Sequence, residues 1–133
     1  MKLYNTSLTF STKGEVDFID LTKKIEEAIS KSGMKNGLVH VFAPHATGII
    51  TLTENDWSLL QDVKDTLDKL LPRGRYKHPI NAHSHLRSVF LSPCKTIPLV
   101  NGNLALGTWQ NIIFIEADVS PRQRTIIIQI IGE

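Results

Sequence analysis

Four of the chain's five histidines fall in two short segments poor in regular hydrophobic pattern: His45 in APHATG, and His78, His83 and His85 in PRGRYKHPINAHSHL. Asn81, His83 and His85 alternate, so an extended backbone would send all three side chains from one face. Two neutral imidazoles there form a partial shell for zinc or another divalent ion such as magnesium, with His45 or His78 as the third ligand. The plainer reading of the same spacing is loop histidines that are solvated or bonded to backbone. The fifth histidine, His40, lies inside the apolar run GLVHVF and is expected in the core.

Other side chains could serve such a site. Thr47 and Gly48 follow His45 and could bring a hydroxyl and an open backbone N–H to an anion, or simply form a β-turn. Arg73, Arg75 and Arg87 flank the histidine segment and could hold phosphate bidentately, Arg87 first for its closeness to His85. In the turn Gly107-Thr108-Trp109-Gln110, Trp109 could stack on a planar ligand and Gln110 supply a donor and an acceptor. Trp57, at helical spacing with Leu60, reads instead as core. Glu54 is a candidate general base or metal carboxylate, although acids at a helix start also suit the helix dipole. Cys94 lacks a helix-start or cationic setting and reads as structural.

The elements that would position these groups follow from periodicity. Leu3–Phe10 and Val16–Ile19 read as a hairpin. A helix capped by Asp20 or Thr22 presents Leu21, Ile25, Ala28 and Ile29 on one face and closes at Gly33. Strands at Gly37–Phe42 and Ile49–Thr53 flank APHATG. A second helix starts at Asn55 or Asp56, carries Trp57, Leu60, Val63 and Leu67, and stops at Pro72. The histidine segment reads as a loop. Beyond it, strand-like runs occur at Val89–Leu91, Thr96–Val100, Leu104–Leu106, Ile112–Ala117 and Thr125–Ile131, with Asn101-Gly102-Asn103 as a hairpin turn.

Bulk properties set the frame. The 133 residues suit one domain, with 41% hydrophobic and 21% charged residues close to the globular average. A net charge of +2 without a basic stripe argues against nucleic acid. The absence of an apolar stretch of spanning length argues against a membrane. A single cysteine and no secretory leader point to the cytoplasm. No phosphate loop, nucleophile elbow or dinucleotide fingerprint is present.

In APHATGIITLTEND, RYKHPINAHSHLRS, NGNLALGTWQNIIFIEAD and RTIIIQIIGE, the chain resembles the YjbQ family over nearly its whole length. The resemblance implies one α+β domain over residues 1–133: a β-sandwich of mixed sheets flanked by two helices, assembled as a homotrimer with sites near subunit contacts. It places the family's histidine positions on His45, His78, His83 and His85, with Asn81 and the Gly107–Gln110 turn beside them. It also implies a weak thiamine-phosphate synthase activity, joining a pyrimidine diphosphate to a thiazole phosphate with loss of pyrophosphate. In that reading the histidines hold a divalent ion or a phosphate, Arg87 assists the leaving pyrophosphate, and Trp109 offers a stacking face. Two other classes fit the same residues: a non-catalytic module that captures a phosphorylated small molecule or metal, and a metal-dependent hydrolase using an open position on a three-histidine ion.

Overall fold

Apolar runs that alternate with polar residues become strands with one buried face, and the run without alternation becomes a strand buried on both. In the computed structural model, which describes residues 1–133, the order is β1 (Lys2–Ser11), β2 (Asp17–Asp20), α1 (Thr22–Ser32), β3 (Gly37–Phe42), β4 (Gly48–Thr53), α2 (Trp57–Leu70), α3 (Ala82–Leu91), β5 (Cys94–Val100), β6 (Asn103–Leu104), β7 (Asn111–Glu116) and β8 (Gln123–Gly132). The strands form a five-stranded sheet, β1-β8-β3-β5-β6, and a three-stranded sheet, β2-β7-β4.

Strand β8 turns Ile126, Ile128 and Ile130 inward and Ile127, Gln129 and Ile131 outward, the period of a half-buried strand. Its inner row meets Ile112 and Phe114 of β7 and Ile50 of β4 in the main core, which α1 joins through Ile25, Ala28 and Ile29. The alternate residues of β7, Ile113 and Ile115, face the other way and pack with Ile49 against Leu60 of α2. The small sheet is therefore a middle layer between the large sheet and α2, which is why Ile112–Glu116 is buried throughout.

Several expectations hold. Helix α1 ends at Gly33 with φ of 71°, and Asp56 caps α2 by accepting from Leu59 N–H at 2.9 Å. Asn101 and Gly102 both take positive φ between paired Val100 and Asn103, as a two-residue hairpin turn requires.

Others are corrected. The amino-terminal hairpin does not form: β1 pairs with β8 and β2 with β7, in different sheets. Both sheets are antiparallel throughout rather than mixed. Three helices are present, and the strand expected at Val89–Leu91 is the last turn of α3. His40 lies on the outward face of β3 with its Nδ1 2.7 Å from Thr96 Oγ1, not in the core. Trp57 is 76% exposed, because Leu60 and Leu67 form the buried side of α2.

Gly37 and Gly132 face each other across β3 and β8, and a Cβ on Gly132 would stand 2.0 Å from the Asn36 carbonyl oxygen. The Gly132→Ala substitution is expected to cost about 3 kcal/mol or more, since φ of +155° also strains an L side chain. Denaturant unfolding measures this; a midpoint equal to that of the parent protein would show that the strands separate without penalty.

Candidate functional site

The histidine segment is a helix at its carboxy-terminal end, and this rearranges the expected site. Asn81, His83 and His85 would share a face only if extended. In α3 successive residues turn by about 100°, so His83 and His85 diverge by about 200°. His83 falls on the inward face with Ser84, Arg87 and Ser88. His85 faces the flank.

On the inward side, His83 Nε2 lies 2.7 Å from Glu15 Oε2. Arg73 pairs with the other oxygen of the same carboxylate. Arg87 is 1% exposed and donates to the Leu71 carbonyl at 3.0 Å and to Asp68 at 3.1 Å, which ties α3 to the end of α2. Arg87 Nη1 has no hydrogen-bond partner and stands 3.7 Å from Glu15 Oε2. The adjoining groove is lined by Glu15, Lys64, Asp68 and Arg73 among others. Its one arginine, Arg73, is already matched by Glu15, and two carboxylates, Glu15 and Asp68, line it beside Lys64. Arg87, expected to touch a leaving pyrophosphate, is instead a buried strut.

On the flank, His78 and His85 meet edge to face with ring centroids 4.8 Å apart. They line a pocket of about 480 Å³ with Tyr76, Lys77, Ala82 and Leu86. No carboxylate lines it. The volume is that of a small-molecule site, and its surface is almost wholly apolar, with Lys77 and His85 the lining side chains free to donate to an anion. Asn81, at the helix start, does not cap α3. Its Oδ1 accepts from His78 Nε2 at 3.1 Å, and its Nδ2 donates to Asp118 Oδ1 at 3.4 Å.

Behind Asp118 is a charged network between the sheets. Glu116 is fully buried, pairs with Arg124, and accepts from the Thr12 hydroxyl at 2.6 Å and from Asp118 N–H at 3.0 Å. Arg124 also donates to Thr47 Oγ1 at 2.9 Å, and that hydroxyl donates to Asp118 Oδ2 at 3.3 Å. Arg122 pairs with Asp118 at 2.9 Å. Burial pushes the Asp118 carboxyl up, but the Val119 N–H, the Asn81 amide and the Arg122 guanidinium outweigh it and hold the group below the usual carboxylate range. Thr47 is thus a buried link in this network. Gly48 is buried, and a Cβ there would stand 2.8 Å from the Phe114 ring. Neither forms the anion turn expected of them.

The remaining expected residues lie elsewhere. His45 Nε2 is 3.0 Å from the Thr125 carbonyl and 3.2 Å from its N–H, which fastens the β3–β4 loop to β8. Trp109 is 70% exposed, and Gln110 Oε1 accepts from Gly107 N–H at 2.8 Å. Both precede Asn111, which pairs with Thr53, whereas Gly48 pairs with Glu116. Glu54, Trp109 and Gln110 therefore stand at the far end of the small sheet, about 17 Å along β4 from the histidine end. Within one chain no three His, Cys, Asp or Glu side chains converge as an ion would need, so these residues do not fit a zinc or magnesium shell.

Asp118, Glu15, Tyr76 and Lys77 were not singled out in the sequence. The signal for the network was a glutamate and an aspartate closing the apolar run IIFIEAD, since an acid inside a buried strand must find a partner.

Residues 6–133 match the family model described as UPF0047 protein YjbQ-like. A UPF0047 protein of Methanothermobacter thermautotrophicus is 38% identical, the alignment covering 100% of this chain and 95% of that protein. YugU of Bacillus subtilis is 31% identical over 95% of this chain and 98% of that one. Among solved structures, a YbjQ-like protein of unknown function from Sulfolobus solfataricus superposes with a TM-score of 0.95 at 34% identity, covering 99% of each chain. An uncharacterised protein of the same family from Clostridium acetobutylicum gives 0.90 at 37% identity, covering 95% of this chain and 99% of that one.

Removing one partner of the buried pair strands the other, so Glu116→Gln should cost about 3–5 kcal/mol. Asp118→Asn should cost about 1–3 kcal/mol at pH 7. A depressed folded-state pKa stabilises above the ordinary value of 3.8, and that contribution is lost as pH falls through the folded value. The Asp118→Asn deficit should therefore shrink as the solution is acidified below about pH 4. Urea unfolding at several pH values checks both; a deficit constant with pH would mean Asp118 is not held ionised by the fold.

Proposed function

The chain belongs to the YjbQ-like UPF0047 family, and on that premise we propose that it binds a phosphorylated small molecule in the His78–His85 pocket. The observation that supports this reading is the pairing of two imidazoles with Lys77 in a pocket that no carboxylate lines. Imidazole and ammonium groups donate to phosphate oxygens, and the wall formed by Tyr76, Ala82 and Leu86 suits the ring system that carries the phosphate. Thiamine-phosphate synthase chemistry fits the pocket as a secondary activity, because that reaction needs a neutralised pyrophosphate more than a nucleophile. Holding the diphosphate falls to Lys77 and His85, not to Arg87.

A homotrimer belongs to the same proposal. On the outward face of the large sheet Leu3 pairs with Ile131, Ile131 with Leu38 and Leu38 with Pro98, an apolar row across four strands with Leu3, Leu38 and Ile131 exposed. A second copy would cover it. Any zinc or magnesium bound by this protein would take ligands from more than one copy, since one chain brings too few together.

Calorimetric titration with a thiazole phosphate and with a pyrimidine diphosphate tests the pocket. His85→Ala and Lys77→Ala are each expected to weaken binding about tenfold or more, the loss of one charge-assisted contact. Unchanged affinity in both would remove the pocket from consideration. Incubation with both compounds then separates classes, since binding without thiamine phosphate would leave a capture module. Light scattering should give three times the chain mass at micromolar concentration, and a monomer would contradict the assembly.

A further inference from the structure

The His78–His85 pocket is connected to the buried network by one amide. Asp118 offers only acceptors, so the Asn81 side chain that bonds it must turn Nδ2 toward the carboxylate. That orientation leaves Asn81 Oδ1 facing His78 Nε2 at 3.1 Å. An oxygen there accepts and cannot donate, so Nε2 carries the proton.

We propose that Asp118 is a positioning residue for the pocket: acting through Asn81, it holds the His78 ring in one orientation and one tautomer, with Nε2 protonated and Nδ1 left to accept from a hydroxyl or amino group on the ring system that carries the phosphate. The inference deepens the phosphate-binding reading and rests on it for the meaning of the site, though not for the tautomer itself. Asp118 is suited to this because its own orientation is over-determined: Oδ1 also accepts from Val119 N–H at 2.8 Å, and Oδ2 accepts from Thr47 and Arg122. It lies just beyond β7, and none of its hydrogen-bond partners lines the pocket; Asn81 is the link. Outer partners of this kind fix which ring nitrogen of a histidine meets the ligand. Without the carboxylate, the Asn81 amide could flip and present a donor, which would send the His78 proton to Nδ1.

The test is a long-range proton–nitrogen correlation spectrum of the protein with ¹⁵N-labelled histidine, without ligand, at a pH where the imidazoles are neutral. The parent protein should show His78 with a protonated Nε2 and an unprotonated Nδ1. In Asp118→Ala and in Asn81→Leu the two nitrogen shifts should move toward each other as tautomers mix. Asn81→Leu removes one donor to Asp118 but keeps the Glu116–Arg124 pair and its partners, so a folding failure of Asp118→Ala would not shelter the idea. A mixed tautomer in the parent protein, or unchanged His78 shifts in Asn81→Leu, would overturn the proposal. A purely structural Asp118 would lower stability without moving these shifts. Inorganic pyrophosphate titrated into the same samples should bind the variants no more weakly than the parent protein, because a proton moved to Nδ1 adds a donor toward the anion. Absence of binding to the parent protein would defeat the pocket reading, while the ligand-free spectra would still decide the role of Asp118.

Discussion

The buried pair between Glu116 and Arg124 is the interaction on which the two sheets and the site depend. Glu116 ends β7 in the small sheet, Arg124 lies on β8 in the large one, and both are out of solvent. Two charges taken from water are retained only if their remaining hydrogen-bonding capacity is met. Here Thr12, Thr47 and the Asp118 N–H meet it. The pair therefore fixes four segments at one end of the sandwich: the exit of β1, the β3–β4 loop, the turn after β7 and the start of β8. Apolar packing alone would let the sheets slide; a charge pair with satisfied geometry sets one registration.

This anchoring explains the division of labour among the histidines. His83 and Arg87 face the interior and are spent on Glu15, Asp68 and the end of α2. His45 is spent on β8. Only His78 and His85 remain at a surface pocket, where Asn81 carries the order of the interior outward to a segment that is otherwise exposed.

How much of this was legible in the sequence depends on the range of the signal. Local patterns were readable: Asp56 before an amphipathic run, Gly33 after one, Asn101-Gly102 between strands, and alternating isoleucines in β8. The α3 helix was not, because His, Ser, Val and Phe are weak helix formers and Val89-Phe90-Leu91 resembles a strand. Its helical state comes from burying Arg87 and Ser88 against α2 and β4, with the Ser88 hydroxyl on the Gly48 carbonyl at 3.0 Å. The error in local structure became an error in chemistry, since spacing by two means convergence on a strand and divergence on a helix. The gathering of histidines in this segment was visible; which histidines meet was a tertiary fact.

Strand β8 lies between β1 and β3, paired with both along most of its length. It is the last of the eight strands to be synthesised, and its partner β1 is the first. Until β8 is available, β1 and β3 each present a row of unpaired amides and carbonyls across an empty slot, with their apolar side chains uncovered. Closing that slot joins residues more than a hundred positions apart, which slows folding relative to proteins built from neighbouring contacts. The vulnerable interval for this chain is thus its own synthesis, when a strand from another molecule could enter the place reserved for β8.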